Sequence, residues 1–284
     1  MSPSGTSSGG LLGRLFGGGD QAASDGPFVR PMTPGDLAAA LAIIEDHDED
    51  DAEEAEESLR ERDCAGMLVV EEAGDILGLT GAVVDEDVPD IRWLSWTYVR
   101  RDARSRGIGS LMIGELLRIL DEDGVRKLFI ATSDYQEDGE DLYADAIAFY
   151  TDLGAREELR VPDYHDAGEA KIILSLINEN APADEPLTAE TAGLSFDDIA
   201  EAPESEDGFG LVWHEAEDGV NGLEAQLSRA QEEDARAIFV ELPEDLSHLA
   251  ATALTEAGFS KAGALSDYYG PGADQVHWVK TLKA

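Results

Sequence analysis

The chain has 284 residues with 62 acidic against 20 basic side chains, a formal net charge of −42, and 43% hydrophobic residues. That balance leaves no extended basic surface to contact a nucleic-acid backbone, so nucleic acid is not expected as a partner and an anionic membrane surface would repel the protein. The apolar fraction is enough to fill a core, which separates the chain from disordered acidic tails.

The acids run along the whole length. Such self-repulsion suits a halophile-type protein folded in concentrated salt, where the screening length falls to about 3 Å at 1 M. Circular dichroism is therefore expected to show structure lost as KCl is lowered from molar to millimolar; full folding in dilute buffer would overturn this reading. The single Cys64 excludes an intramolecular disulfide and points to a reducing, cytoplasmic setting. No apolar run approaches the ~20 residues of a membrane span.

Residues 1–27 read as a flexible Gly/Ser-rich tail with one apolar patch, Leu11 to Phe16, and no long apolar region of a signal peptide. A strand is expected at Phe28–Met32, then a turn, Thr33-Pro34-Gly35-Asp36, into a helix with Leu37, Leu41 and Ile44 on one side. Residues 45–63 form an acidic, helix-favouring stretch. Met67–Glu71 and Ile76–Val84 look like a hairpin around Ala73-Gly74-Asp75, and Ile91–Val99 is a third strand. After a glycine turn comes a helix with Leu111, Met112, Leu116, Leu117 and Leu120 aligned. A buried strand at Arg126–Thr132, an acidic loop, a helix at Ala144–Leu153 closed by Gly154, and strands at 156–163 and 170–177 follow. The fold class is α/β with α+β character, a mixed central sheet flanked by helices.

Residues 179–206, acidic and with Pro182, Pro186 and Pro203 in or beside them, read as a linker. Residues 207–284 then give a β-α-β-α-β-β pattern that repeats the second half of the first domain. Gly154, Asp163, Tyr164 and Gly168 recur as Gly258, Asp267, Tyr268 and Gly272. Arg126-Lys127-Leu128-Phe129-Ile130 meets Arg236-Ala237-Ile238-Phe239-Val240. Internal duplication explains this better than two unrelated α/β segments.

The sharpest local signal runs from Arg100 to Ser110, Arg-Arg-Asp-Ala-Arg-Ser-Arg-Gly-Ile-Gly-Ser, between a strand and a helix. Glycine lets backbone N–H groups approach an anion, and the helix start adds free donors and partial positive charge. Four of the 20 basic residues fall at positions 100–106. A solvated turn that balances neighbouring acids is the plain alternative. No Gly-Lys-Ser/Thr triplet supports a Walker loop, and Met112 stands where a dinucleotide fingerprint needs its third glycine.

Arg104-x-x-Gly107-x-Gly109 resembles the signature Gln/Arg-x-x-Gly-x-Gly/Ala of the GNAT acetyltransferases. Ala146-Ile147-Ala148-Phe149-Tyr150-Thr151-Asp152-Leu153-Gly154 is similar to the second family motif, and residues 162–171 look like the ending of one GNAT subgroup. The resemblance covers residues 28–178 and implies a GNAT fold using acetyl-CoA as co-substrate, without a metal. It implies that Val99, Arg104, Ser105, Arg106, Gly107, Ile108, Gly109 and Ser110 hold the cofactor. A neutral amine would attack the thioester directly, and Tyr150 would protonate the departing thiolate. The acceptor is expected to be a small-molecule or peptide amine, and a homodimer is compatible with the reading.

Other residues carry weaker signals. Asp134, Glu137 and Glu140 are base candidates, each more simply a solvated loop residue. His47, His165, His214, His248 and His277 show no ligand spacing with one another or with Cys64. Trp93 and Trp96 fit sheet packing better than substrate contact. At a shift of 110 without a gap the second half sets His214 against Arg104 and Glu217 against Gly107, and at a shift of 104 it sets Leu254 against Tyr150, so it is expected to have lost the chemistry. A non-catalytic acyl-CoA-binding or protein-interaction module on the same scaffold is the competing function.

Overall fold

The computed structural model describes residues 26–85, 87–137, 139–182, 186 and 192–283. The expected tail lies outside them except for its last two residues. The elements in chain order are β1 (Phe28–Pro31), α1 (Leu37–Glu45), α2 (Glu49–Glu61), β2 (Met67–Glu72), β3 (Asp75–Val84) and β4 (Ile91–Val99). Then come α3 (Ile108–Glu122), β5 (Lys127–Ser133), the short pair β6 (Gln136–Glu137) and β7 (Glu140–Asp141), α4 (Ala144–Asp152), β8 (Arg156–Asp166) and β9 (Glu169–Ile177). The chain continues with β10 (Gly193–Glu201), β11 (Gly208–Ala216), β12 (Gly219–Asn221), α5 (Leu223–Glu232), β13 (Ala237–Pro243), α6 (Glu244–Glu256), β14 (Ser260–Leu265) and β15 (Gln275–Thr281).

Local chemistry explains the ends of the early elements. The Asp36 carboxylate accepts the Thr33 N–H at 2.8 Å and pairs with Arg30 at 2.7 Å, fixing the turn into α1. Those partners hold the Asp36 carboxyl far below the usual carboxylate range. Asp48 caps α2 by accepting from Asp50 and Asp51, and the acids of the first turn sit at the positive end of the helix. Among the described residues no helix is long and apolar enough to cross a membrane.

Two mixed sheets form. One has the order β1-β2-β3-β4-β5-β9-β8, with β4 and β5 parallel; the other has the order β12-β10-β11-β13-β15-β14, with β11 and β13 parallel. The run β10-β11-β13-β15-β14 repeats β3-β4-β5-β9-β8. β10 therefore stands where β3 stands, inside the segment read from sequence as a linker. Among the described residues the second sheet has only the three-residue β12 beside β10, where the first has β2 and β1 beside β3.

Register also realigns the glycine loops. Trp93 opposes Phe129, and Gly210 opposes Phe239, which brings Trp213 to the place of Trp96 and Ala216 to that of Val99. α5 starts at Leu223 as α3 starts at Ile108, so Gly222 at φ +78° answers Gly107 at φ +79°. The ungapped pairing of Gly107 with Glu217 is thus corrected. It failed because the helix between loop and strand is shorter, 10 residues in α5 against 15 in α3.

By packing, the chain divides into two compact units: residues up to Leu79 with Tyr98–Met112, and Thr80–Thr97 with Ile113 onward. Within the second unit the two sheets grip each other by exchanged contacts. Arg126, 8% exposed, donates to the Asp267 carbonyl and, at 3.1 Å, to that of Tyr268. Arg236, 7% exposed, donates to the carbonyls of Asp163 at 2.6 Å and Tyr164 at 3.1 Å. The rings follow the same exchange, Phe129 with Tyr268 at 5.5 Å and Phe239 with Tyr164 at 4.7 Å. Asp163 and Asp267 turn the chain at φ 52° and 51°, and their carboxylates accept the N–H of Gly168 and Gly272. A shared core of Ile91, Phe129, Leu159, Ala237, Phe239 and Leu265 fills the space between these contacts. Gly263 allows the approach of β14 to β8, since a Cβ there would come within 2.7 Å of the Leu159 side chain.

Candidate active site

The glycine loop lies in the first unit. Leu111 N–H bonds to the Gly107 carbonyl at 3.0 Å as the opening bond of α3, so the amides of Ile108, Gly109 and Ser110 have no acceptor within the helix. Gly107 and Ser105, at φ +79° and +60°, turn the chain sharply into that helix. Gly78 seats it: a Cβ there would meet the Tyr98 carbonyl at 2.8 Å and the Ile108 side chain at 3.4 Å.

The four arginines of the loop differ in their partners. Arg100 pairs with Asp102 at 2.6 Å, Arg101 with Asp46 at 3.0 Å, and Arg106 with Glu72 at 2.7 Å. For these three the solvated, balancing role holds. Among the described residues Arg104 has no carboxylate partner; its Nη2 meets His47 Nδ1 at 2.8 Å. A guanidinium only donates, so Nδ1 is the acceptor and Nε2 carries the proton. Nε2 then donates to the Val99 carbonyl at 3.1 Å. Burial, opposed by the bond to Val99 and aided by the charges of Arg104 and Arg101, lowers the His47 pKa below its ordinary value and keeps this neutral tautomer. The Tyr98 ring packs on His47 at 5.3 Å, and the Tyr98 hydroxyl bonds to Asp51. His47 thus ties Val99 to Arg104. Arg104, without a carboxylate partner among the described residues, and three amides that the helix itself does not use suit a bound anion such as a pyrophosphate.

Tyr150 lies in the second unit on α4, 9% exposed, its ring edge-on to Phe149 at 5.3 Å. The Thr97 side chain acts on its hydroxyl and favours the ionised form, against the larger effect of burial. Thr97 in turn bonds to the fully buried Thr80 at 2.8 Å. Burial pushes the phenol up to about 12, so it stays protonated at any physiological pH. In the same unit β4 and β5 pair only from Ile91 with Lys127 to Trp93 with Phe129 and then part. Trp96 takes φ +39°, a left-handed conformation at a bulky residue inside the continuous strand β4.

The remaining candidates fall to structural roles. Asp134 accepts the Ala170 N–H at 2.7 Å and pairs with Arg160 at 2.5 Å, while Glu137 and Glu140 are exposed on the β6–β7 pair. Trp93 packs on Phe129 at 5.0 Å. Among the described residues no group of three or more His, Cys, Asp or Glu is placed to hold a metal ion.

Residues 36–155 match the profile of the acetyltransferase (GNAT) family. This segment is a GNAT acetyltransferase domain. It contains both the Arg104 loop and α4. A putative GNAT acetyltransferase from Desulfovibrio desulfuricans is similar at 23% identity over 54% of this chain and 99% of its own, with a TM-score of 0.49. The ribosomal-protein-alanine N-acetyltransferase from Brucella melitensis is similar at 25% identity over 53% and 99%, with a TM-score of 0.45. An aminoglycoside 6'-N-acetyltransferase complexed with coenzyme A gives 14% identity over 55% and 99%, with a TM-score of 0.47. No curated protein matches the chain.

Against the GNAT loop, its counterpart before α5 has changed in two ways. Residues 217–222, Glu-Asp-Gly-Val-Asn-Gly, hold no cation and two carboxylates. Their backbone is also spent, because β12 pairs in parallel with β10 from Gly193 with Gly219 to Ser195 with Asn221. Gly222 keeps its conformation, but a Cβ there would lie 2.1 Å from the Phe196 carbonyl oxygen. The loop is closed onto the sheet and has lost the features that suit the GNAT loop to an anion.

Proposed function

We propose that this protein is an acetyl-CoA-dependent N-acetyltransferase that passes the acyl group to a primary amine by direct attack. The observation that carries the reading is Arg104, the one loop arginine left without a carboxylate among the described residues and held beside free helix-start amides. Val99 and residues 104–110 hold the cofactor. Acetyl-CoA supplies an activated thioester. The amine nitrogen forms the new C–N bond, the C–S bond breaks, and the amine proton leaves to solvent or a nearby base. Tyr150 gives its proton to the thiolate and is reprotonated from water, a role for which a phenol kept neutral up to about pH 12 is suited. The second sheet serves as a structural partner, a duplicated half that has given up the chemistry.

The test is thiol release from acetyl-CoA at molar KCl over a panel of amines, amino acids and peptides. Amine-dependent release is expected, and Tyr150→Phe is expected to keep CoA binding while slowing turnover about 10²-fold. CoA binding without release from any acceptor would favour the non-catalytic module, and an unchanged rate in Tyr150→Phe would remove its role as the acid.

A further inference from the structure

Although its anion loop is closed, the second sheet retains an open cleft. β11 and β13 pair only from Gly208 with Ala237 to Gly210 with Phe239, then part as β4 and β5 do. A cavity of about 390 Å³ lies at that parting, within the size range of small-ligand sites. Four aromatic rings line it, those of Tyr164, Trp213, Phe239 and Tyr269. Its charged lining groups are three carboxylates, Asp87, Glu201 and Glu241, with no lysine or arginine.

The rings and acids are held in place. The Trp213 indole N–H donates across the parting to the Glu241 carbonyl at 2.9 Å, and Gln275 donates to the Tyr269 hydroxyl at 3.3 Å. His277 Nδ1 stands 3.3 Å from the Glu241 carboxylate, and its Nε2 stands 3.0 Å from Gln275 Oε1. Tyr164 already receives one ammonium, Lys171 Nζ at 4.4 Å from the ring centre. Acids are the background of this chain, but aromatic residues make up only 7% of it. Four rings in one cleft are a concentration that composition does not supply.

Aromatic faces carry negative potential, and carboxylates add full charge, so such a lining attracts a cation with an apolar surface and repels an anion. We propose that this cleft binds a small organic ammonium ion. The second half has thus kept the opening of its sheet and inverted the charge of what it takes. Because Tyr164 belongs to β8 and Asp87 to the β3–β4 loop, a ligand here would touch the first sheet and one of its connections.

Tetramethylammonium is the probe, since it has no N–H and cannot accept an acyl group; its binding is read apart from any turnover. Calorimetric titration of the full chain at molar KCl is expected to show saturable heat. Trp213→Ala and Glu241→Gln, each checked for unchanged circular dichroism, are expected to weaken binding about tenfold or more. Arg104→Glu is expected to leave it unchanged. Absence of saturable heat in the parent chain, or equal affinity in both cleft variants, would overturn the proposal. Tighter binding in Arg104→Glu would place the ion at the GNAT loop and overturn it as well.

Discussion

Arg236→Ala is expected to destabilise the chain by on the order of 3 kcal/mol, read from urea unfolding at molar KCl. The side chain is 7% exposed and donates to the carbonyls of Asp163, Tyr164, His165 and Glu206. Truncation leaves those acceptors facing a cavity, and each buried unsatisfied group costs about 1–3 kcal/mol. Arg236→Lys keeps the charge but not the planar fork and is expected to fall between parent and alanine. Arg126→Ala removes the mirrored contacts to Asp267 and Tyr268 and frees Asp90, so a loss of similar size is expected. Because both arginines border one apolar cluster, the double variant should depart from the sum of the singles. Changes within about 0.5 kcal/mol, the range of ordinary surface substitutions, would show that the exchanged contacts are not what holds the second sheet.

What could be read in advance follows the range of each interaction. Element order was legible because helix and strand periods are local, and the Arg104 loop because its glycines and arginines fall within a few positions. β10 was hidden by its own geometry. Leu194 and Phe196 alternate as a buried strand should, but the register shifts between Phe196 and Asp198, so Ile199 is out of phase and two acids occupy the interval. The second glycine loop was misaligned because the helix that follows it is shorter, 10 residues in α5 against 15 in α3, which only the folded elements reveal. His47 and Gly78 had no local signal. Their partners, Arg104 and Tyr98, are far away in sequence and near only after folding. The recurrence of Asp-Tyr and of the Arg126 segment was visible in the sequence; that each arginine grips the Asp-Tyr pair of the other half was not.

Charge reversal at Arg104 tests the GNAT loop most sharply. The dissociation constant for CoA is expected to rise about 10²-fold in Arg104→Glu, since a hydrogen bond to a charged group contributes about 1.5–3 kcal/mol and the substituted carboxylate adds repulsion. Arg100→Glu, Arg101→Glu and Arg106→Glu are expected to change it less than about tenfold. Those guanidiniums are partly exposed and already paired with Asp102, Asp46 and Glu72, and exposed pairs contribute at most about 1 kcal/mol. Working at molar KCl makes the comparison decisive. With screening over about 3 Å, the summed field of four arginines fades while direct contact persists. His47→Ala, which releases Arg104 from the Val99 carbonyl without altering loop charge, should weaken binding by a smaller factor than the reversal. Equal losses at all four arginines would mean that the loop acts as a diffuse basic patch, and the assignment of the pyrophosphate contact to Arg104 would fall.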